Sequence, residues 1–189
     1  MKATSESNRV SITKSDLSKV EEFISKISTT HYASRGQNNP DKRKLDQKVG
    51  KLGELASYHL LKDKFDSLSP PDFEIYAVRK KSWAGDLPYD GGTIHSKSQL
   101  NTQAKRYGSS WVFEKKDKEI FEKYSDNDWV SFTTVNLESG YVELTALVKV
   151  ADLHSKNLFS DLKLDYLNQF KRCVYQDDLI KKGMIESVG

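Results

Sequence analysis

Apolar residues recur at helical steps in two stretches near the start of the chain. Leu17, Val20, Ile24 and Ile27 fall on one side of a helix predicted over residues 15–27, with Ser15 and Asp16 at its start. Leu45, Val49, Leu52, Ala56 and Leu60 form a similar stripe over residues 45–62, and Glu54 lies at its margin. Between them, residues 31–44 contain Gly36, Asn38-Asn39-Pro40 and a basic cluster, which predicts a loop. Residues 1–12 are polar and are expected to be loosely ordered.

After Ser69-Pro70-Pro71 the period shortens to two. Strands are predicted over residues 73–78, 82–87 and 93–99, with Pro88-Tyr89-Asp90-Gly91-Gly92 turning the last two into a hairpin. A short strand over 111–113 and a short helix over 117–124 follow. Residues 129–135 and 141–150 alternate and are bridged by 136–140 as a second hairpin, and a helix over 161–174 closes the chain. This order predicts a single α/β domain over residues 1–189, with a mixed central sheet flanked by helices. Its core spans about residues 45–150, behind an N-terminal helical and basic segment at 13–44.

Composition narrows the class. A chain of 189 residues, 37% hydrophobic and 30% charged, fits one globular domain with a very polar surface. The lone Cys173 excludes an internal disulfide and any multi-cysteine zinc site. Residues 1–9 lack a signal-peptide core and no apolar run approaches bilayer length, so a cytoplasmic protein with no membrane partner is expected. The net charge of +3 is mild, but residues 31–51 carry Arg35, Lys42, Arg43, Lys44, Lys48 and Lys51 against only Asp41 and Asp46. Residues 113–128 are rich in both signs and read as a solvated surface.

The chemistry concentrates after Gly85. In a strand over 93–99, Thr93, His95, Lys97 and Gln99 point one way, while Ile94, Ser96 and Ser98 point the other. Asp86 lies on the partner strand of the hairpin, so pairing can bring its carboxylate towards His95 and Lys97. Phosphodiester hydrolysis uses such a set: a carboxylate holds a divalent cation, and an ammonium stabilises the developing charge.

Asp86, the eleven-residue step to Lys97, the intervening turn and the upstream Gly50-Lys51-Leu52-Gly53-Glu54-Leu55 together resemble the PD-(D/E)XK nuclease superfamily, which includes many type II restriction enzymes. The resemblance spans about residues 45–111 and continues less specifically to 150. It implies a restriction-endonuclease-like fold, Asp86 as the metal carboxylate, Lys97 as the catalytic lysine and Glu54 as an auxiliary acid, with Mg²⁺ or Mn²⁺ as cofactor. One position departs from it: His95 stands where the superfamily places Glu or Asp. Either His95 is a direct ligand, or Glu54 and the Ser96 carbonyl complete the site with water. Gln99 shares the face of Lys97 and is a candidate for contact with substrate or water.

Candidate DNA contacts are Arg35, Lys42, Arg43 and Lys44 in the basic segment, Arg79, Lys80 and Lys81 beside Trp83, and Lys105 and Arg106 after the catalytic strand. Asp90 reads first as a turn residue, and His31, His59 and His154 are isolated and read as structural. The expected function is a restriction-type or phage-type endonuclease acting on double-stranded DNA as a homodimer, without a nucleotide cofactor. The alternatives are a structure-selective, homing or nicking nuclease, a catalytically silent DNA-binding module, and a plain protein-interaction domain.

Overall fold

Thr13 and Asp16 start the first helix by reciprocal capping: the Thr13 backbone N–H donates to the Asp16 carboxylate at 3.0 Å, and the Asp16 N–H donates to Thr13 Oγ1 at 3.1 Å. The computed structural model describes residues 8–26, 39–74 and 86–185. Helix α1 covers Lys14–Lys26 and is preceded by strand β1, Arg9–Ser11. This strand corrects the expectation of loose order before residue 12. Three residues are too few for a periodic signal, and β1 is held by its partner strand and by an Arg9–Glu143 ion pair at 3.0 Å.

Helix α2 runs from Pro40 to Leu61, so the predicted loop ends earlier than expected and Lys42, Arg43 and Lys44 are helical. The cause is legible in Asn39-Pro40. The Asn39 side chain accepts from the Asp41 and Lys42 N–H groups at 3.0 Å each, and Pro40 sits at the helix start, where a missing N–H is harmless. Val20, Leu17 and Ile24 of α1 pack with Val49, Leu52 and Ala56 of α2, which makes the α1 stripe core rather than a free face. Ile27 and His31 lie outside the described residues.

Phe73 and Glu74 belong to no strand, against expectation; the Phe73 ring packs edge-on against Phe23 at 5.5 Å instead. Residues 75–85 are outside the described set, and with them most of the predicted 82–87 strand. Strand β2, Leu87–Tyr89, and strand β3, Gly92–Leu100, form the expected hairpin. Its two-residue turn, Asp90-Gly91, needs Gly91 at φ +109°. Then follow helix α3 (Asn101–Tyr107), strand β4 (Ser110–Glu114), helix α4 (Lys118–Phe121), strand β5 (Trp129–Asn136), strand β6 (Tyr141–Lys149) and helix α5 (Val150–Ser155). A 3-10 turn (Asp165–Leu167), strand β7 (Lys171–Tyr175) and helix α6 (Gln176–Lys181) complete the described chain.

The main sheet has the order β1-β6-β5-β3-β2; β3 and β5 are parallel and the other pairs antiparallel. Strands β4 and β7 pair separately. Helices α1 and α2 cover one face. The other buries Val130, Phe132, Ala146 and Val148 against Trp111, Phe113, Ile120, Leu153 and Val174 from β4, β7, α4 and α5. The fold is therefore mixed α/β, a curled five-stranded sheet with a layer on each side. The even alternation of β6 hides a division. A register shift opposite Phe132 and Thr133 sends Val142 and Leu144 into clusters that include α2 residues, and Ala146 and Val148 into the opposite one.

The helix expected over residues 161–174 is not formed. The segment is a loop with the 3-10 turn, and then β7. Backbone pairing decides this: Cys173 exchanges hydrogen bonds with Ser160, and β7 pairs along the whole of β4. Leu164, Tyr166 and Phe170 stay in solvent.

Helix α2 touches the sheet most closely at Gly53. A Cβ there would lie 1.8 Å from Ser98 Oγ and 2.6 Å from Thr133 Oγ1, and those two hydroxyls bond each other at 2.9 Å. Gly53→Ala should destabilise the protein by about 1–3 kcal/mol, as overpacking of a close contact does. Urea denaturation reads this out, and Ser98→Gly in the same chain should recover part of the loss. An unchanged midpoint in Gly53→Ala would show that the helix is free to lift.

Candidate active site

Strand β2 is short. It ends at Leu87, opposite Ile94, and leaves the outer edge of β3 beyond that point without a strand partner among the described residues. Asp86 occupies the gap, its Oδ2 accepting the Ser96 N–H at 2.6 Å. An edge amide thus meets a charged acceptor, and the acceptor is fixed at the centre of β3. Asp86 thus stands just before β2 rather than on it, and the contact it makes with β3 is to the backbone of Ser96.

Glu54 reaches the same edge from above, because it follows the close contact at Gly53. Its Oε2 accepts from Lys51 Nζ at 2.6 Å, and Lys51 also donates to the Asp72 carbonyl at 2.9 Å. Only 14% of the Glu54 side chain is exposed. Burial, reinforced by the negative charge of Asp86, pushes its pKa up to about 7, against the opposing cations Lys51 and Lys97. The ordinary i, i+3 pair with Lys51 is real, and so is the coupling to Asp86. Glu54 belongs to both.

On the opposite face of β3, His95 is buried. Desolvation lowers its pKa, with Asp86 opposing and Lys97 assisting, so the imidazole stays neutral at neutral pH. Lys97 Nζ lies 3.7 Å from Asp117 Oδ2 and 5.2 Å from the centre of the Phe113 ring. Asp117 was hidden in the charge-rich stretch read as solvated surface. It stands at the N-cap of α4, yet its side chain makes no cap hydrogen bond; the carboxylate faces Lys97. That idle cap is the signal that could have found it, but only with coordinates. Asp128, also missed, accepts from the Thr93 N–H at 2.9 Å and the Ser125 N–H at 2.7 Å, which fixes the start of β3.

Asp86, Glu54, His95 and Lys97 therefore feel one another's charge, but His95 and Lys97 lie on the face of β3 away from α2, and the ion pair Lys97 makes is with Asp117. Among the described residues no three His, Cys, Asp or Glu side chains converge tightly enough to hold a metal unaided. Two carboxylates in mutual repulsion remain, and beside them Ser96 Oγ is buried without a hydrogen-bond partner. The donor set fits a hard cation that takes one or two carboxylates and completes its shell with water and substrate.

Gln99 is placed differently. Its Oε1 accepts the Ser110 N–H at 3.0 Å and its Nε2 donates to Thr134 Oγ1 at 3.3 Å, so both ends of the amide tie β4 to the sheet. Lys42 pairs with Asp46 at 2.9 Å and Lys48 with Glu21 at 2.7 Å, which offsets part of the basic excess. Lys42, Arg43 and Lys44 lie some three turns before Glu54 on α2, roughly 16 Å along its axis. Lys105 and Arg106 end α3 in solvent. Arg35, Arg79, Lys80, Lys81 and Trp83 fall outside the described residues. Asp90 accepts from Ser67 Oγ at 2.9 Å in the hairpin turn, and the His154 ring stacks on Tyr124 while bonding the Ile120 carbonyl, both structural roles.

The burial of Glu54 has a consequence for stability. Its folded pKa, about 7, exceeds the ordinary 4.5, so the folded chain binds this proton more tightly than the unfolded one. The contribution is complete below the ordinary value and is lost as pH rises through about 7. The gap corresponds to about 3 kcal/mol. In chelator, urea denaturation from pH 5 to 8 should show the wild type losing stability relative to Glu54→Gln; parallel profiles would place Glu54 in water.

No helix among the described residues is long and apolar enough to cross a membrane. No family model matches the chain, and neither a curated protein nor a solved structure matches it.

Proposed function

We propose that the chain is a metal-dependent DNA endonuclease with its site at the free edge of β3, and that its sheet is the restriction-endonuclease-like core of the PD-(D/E)XK nucleases it resembles in sequence. One observation carries this reading. Asp86 and Glu54 come from segments far apart in the chain, are both partly buried, and lie within electrostatic reach of each other, while Lys97 acts on Glu54 in the opposite sense. Lys51 already offsets part of the Glu54 charge at 2.6 Å, and a divalent cation between the two carboxylates would neutralise Asp86 as well.

Asp86 and Glu54 would hold Mg²⁺ or Mn²⁺, with the Ser96 carbonyl as a further donor; neutral His95 suits Mn²⁺ better than Mg²⁺. Such an ion, when bound, polarises a phosphoryl oxygen and lowers the pKa of water. Lys97 supplies positive charge to the phosphate as negative charge develops, and Asp117 and Phe113 fix the direction of its stem. Lys105 and Arg106 on α3, with Lys44 at the start of α2, supply phosphate contacts to the duplex. One site cuts one strand, so double-strand cleavage calls for a homodimer with two-fold symmetry. A second reading, a DNA-binding module without cleavage, is favoured by His95, which is buried and neutral where the resemblance calls for an acid.

The test is incubation with plasmid and phage DNA in Mg²⁺ or Mn²⁺, with a chelator control. Wild type should give cleavage that the chelator stops, and Lys97→Ala should lose at least about a hundredfold in rate. Undiminished cleavage by that variant sinks the assignment. A readout independent of activity is the Glu54 carboxyl signal in ¹³C NMR: its titration midpoint, about 7 without cation, should fall when Mg²⁺ is added. An unmoved midpoint would remove Glu54 from the cation site.

A further inference from the structure

Residues 161–170 form a loop that is fastened rather than free. Asn168 closes it with both ends of its side chain: Oδ1 accepts the Leu162 N–H at 2.6 Å and Nδ2 donates to the Leu162 carbonyl at 3.1 Å. Lys163 Nζ reaches across to the Tyr107 carbonyl at 3.1 Å, and the Lys115 N–H donates to the Phe170 carbonyl at 2.8 Å. The loop thus links the end of α3 to Lys115, two residues from the Asp117 that faces Lys97.

A loop so well fastened would be expected to turn its rings inward. It does the reverse: Tyr166 is 74% exposed and Phe170 63%, and Tyr107, whose carbonyl Lys163 reaches, is exposed as well. Rings held in water by a closed loop mark a contact surface rather than a folding remnant. The charge around them indicates the partner. Arg106 lies over the Tyr107 ring at 5.0 Å, Lys163 and Lys115 donate to backbone carbonyls, and none of the three has a carboxylate partner among the described residues. The loop's own acids offset this only in part: Asp161 is paired with Arg172, and Asp165 is the one exposed carboxylate beside Tyr166. Three cations against one free carboxylate, on a surface that also carries solvent-facing rings, match a polyanion with flat apolar faces.

We infer that the 161–170 loop and the end of α3 form a binding surface for single-stranded DNA, in which Tyr166 and Phe170 stack on unpaired bases while Arg106, Lys115 and Lys163 follow the phosphates. Paired bases hide their faces, so a duplex would offer these rings only its backbone and groove. The surface involves neither Asp86 nor a metal ion, and it goes beyond the cleavage reading. If both hold, the substrate carries unpaired nucleotides beside the scissile strand.

The experiment is fluorescence anisotropy of a labelled oligodeoxythymidine 12-mer and of a 12-base-pair duplex, in chelator, at several salt concentrations. Wild type should bind the single strand more tightly than the duplex, with affinity falling as salt rises. Tyr166→Ala with Phe170→Ala should weaken single-strand binding at least about tenfold. Tyr166→Phe alone should keep it, since the ring remains, and thermal melting of all variants should match wild type because the rings are exposed. Absence of wild-type single-strand binding overturns the inference, as do an unaffected double variant or tighter binding of oligouridine. Concentration-dependent dimerisation that the double variant abolishes overturns it too, by assigning the rings to a second copy. Binding without cleavage leaves this surface standing and removes the endonuclease reading; cleavage without single-strand binding does the converse.

Discussion

The close approach of α2 to the sheet governs where the charged groups go. At Gly53 the helix backbone comes down onto Ser98 and Thr133, and one turn later Ser57 Oγ meets Ser131 Oγ at 2.9 Å. The interface on this line is made of a missing side chain and small hydroxyls, where helix-on-sheet packing ordinarily uses branched apolar residues. Four hydroxyls satisfy each other in pairs, so the polar line carries little desolvation penalty. Its effect is to set the height of the helix. With a larger residue at 53 the helix would ride outward, and Glu54 would move away from the β3 edge into water, where its pKa would return towards the ordinary range.

The second constraint is a strand that stops early. An exposed strand edge is usually blunted by a charge or covered by another element. Here β2 covers Gly92 to Ile94, and Asp86 then takes over as acceptor for Ser96. The carboxylate is therefore doing structural work on the sheet edge while retaining oxygen lone pairs beyond the single N–H it accepts. Glu54 above and His95 behind feel its charge in opposite senses: the first is made harder to ionise, the second easier. Burial works against the charged form of both and is the larger influence on each, which leaves a site of low net charge in the absence of a cation.

The parts of this arrangement that were legible in the sequence are those encoded within about ten residues. The Asp90-Gly91 hairpin, the alternation along β3 and the α2 stripe that leaves Glu54 at its margin all follow from local spacing, which set Asp86 beside His95 and Lys97; Glu54 joined them only through the family resemblance. The start of α2 was also written locally, in Asn39-Pro40, but the neighbouring glycine and basic residues read as a loop. What stayed hidden is long-range. Asp117 reaches Lys97 from a different layer, β1 depends on a strand more than a hundred residues away, and β7 exists because β4 and Ser160 supply its partners. A helix was expected over residues 161–174, yet a helix there would have left the β4 backbone unpaired. Tertiary pairing overrode that expectation.

The pairing of Lys97 bears on how such a site could operate. An ammonium bonded directly to Asp86 would neutralise the carboxylate that a cation needs, and the two positive charges would compete for the same oxygens. The structure separates them. Lys97 leans towards Asp117 and the Phe113 ring, on the face of β3 away from α2, while Asp86 is engaged by a backbone N–H that carries no net charge. A contact of 3.7 Å at a quarter-exposed position is a weak ion pair. It is strong enough to give the lysine a direction and too weak to hold it against a phosphate dianion or diester arriving at the edge. Under the proposed chemistry, Asp117 therefore acts on Lys97 as a positioning residue: it holds the ammonium close without drawing it onto Asp86, and it gives way when substrate brings a better anion.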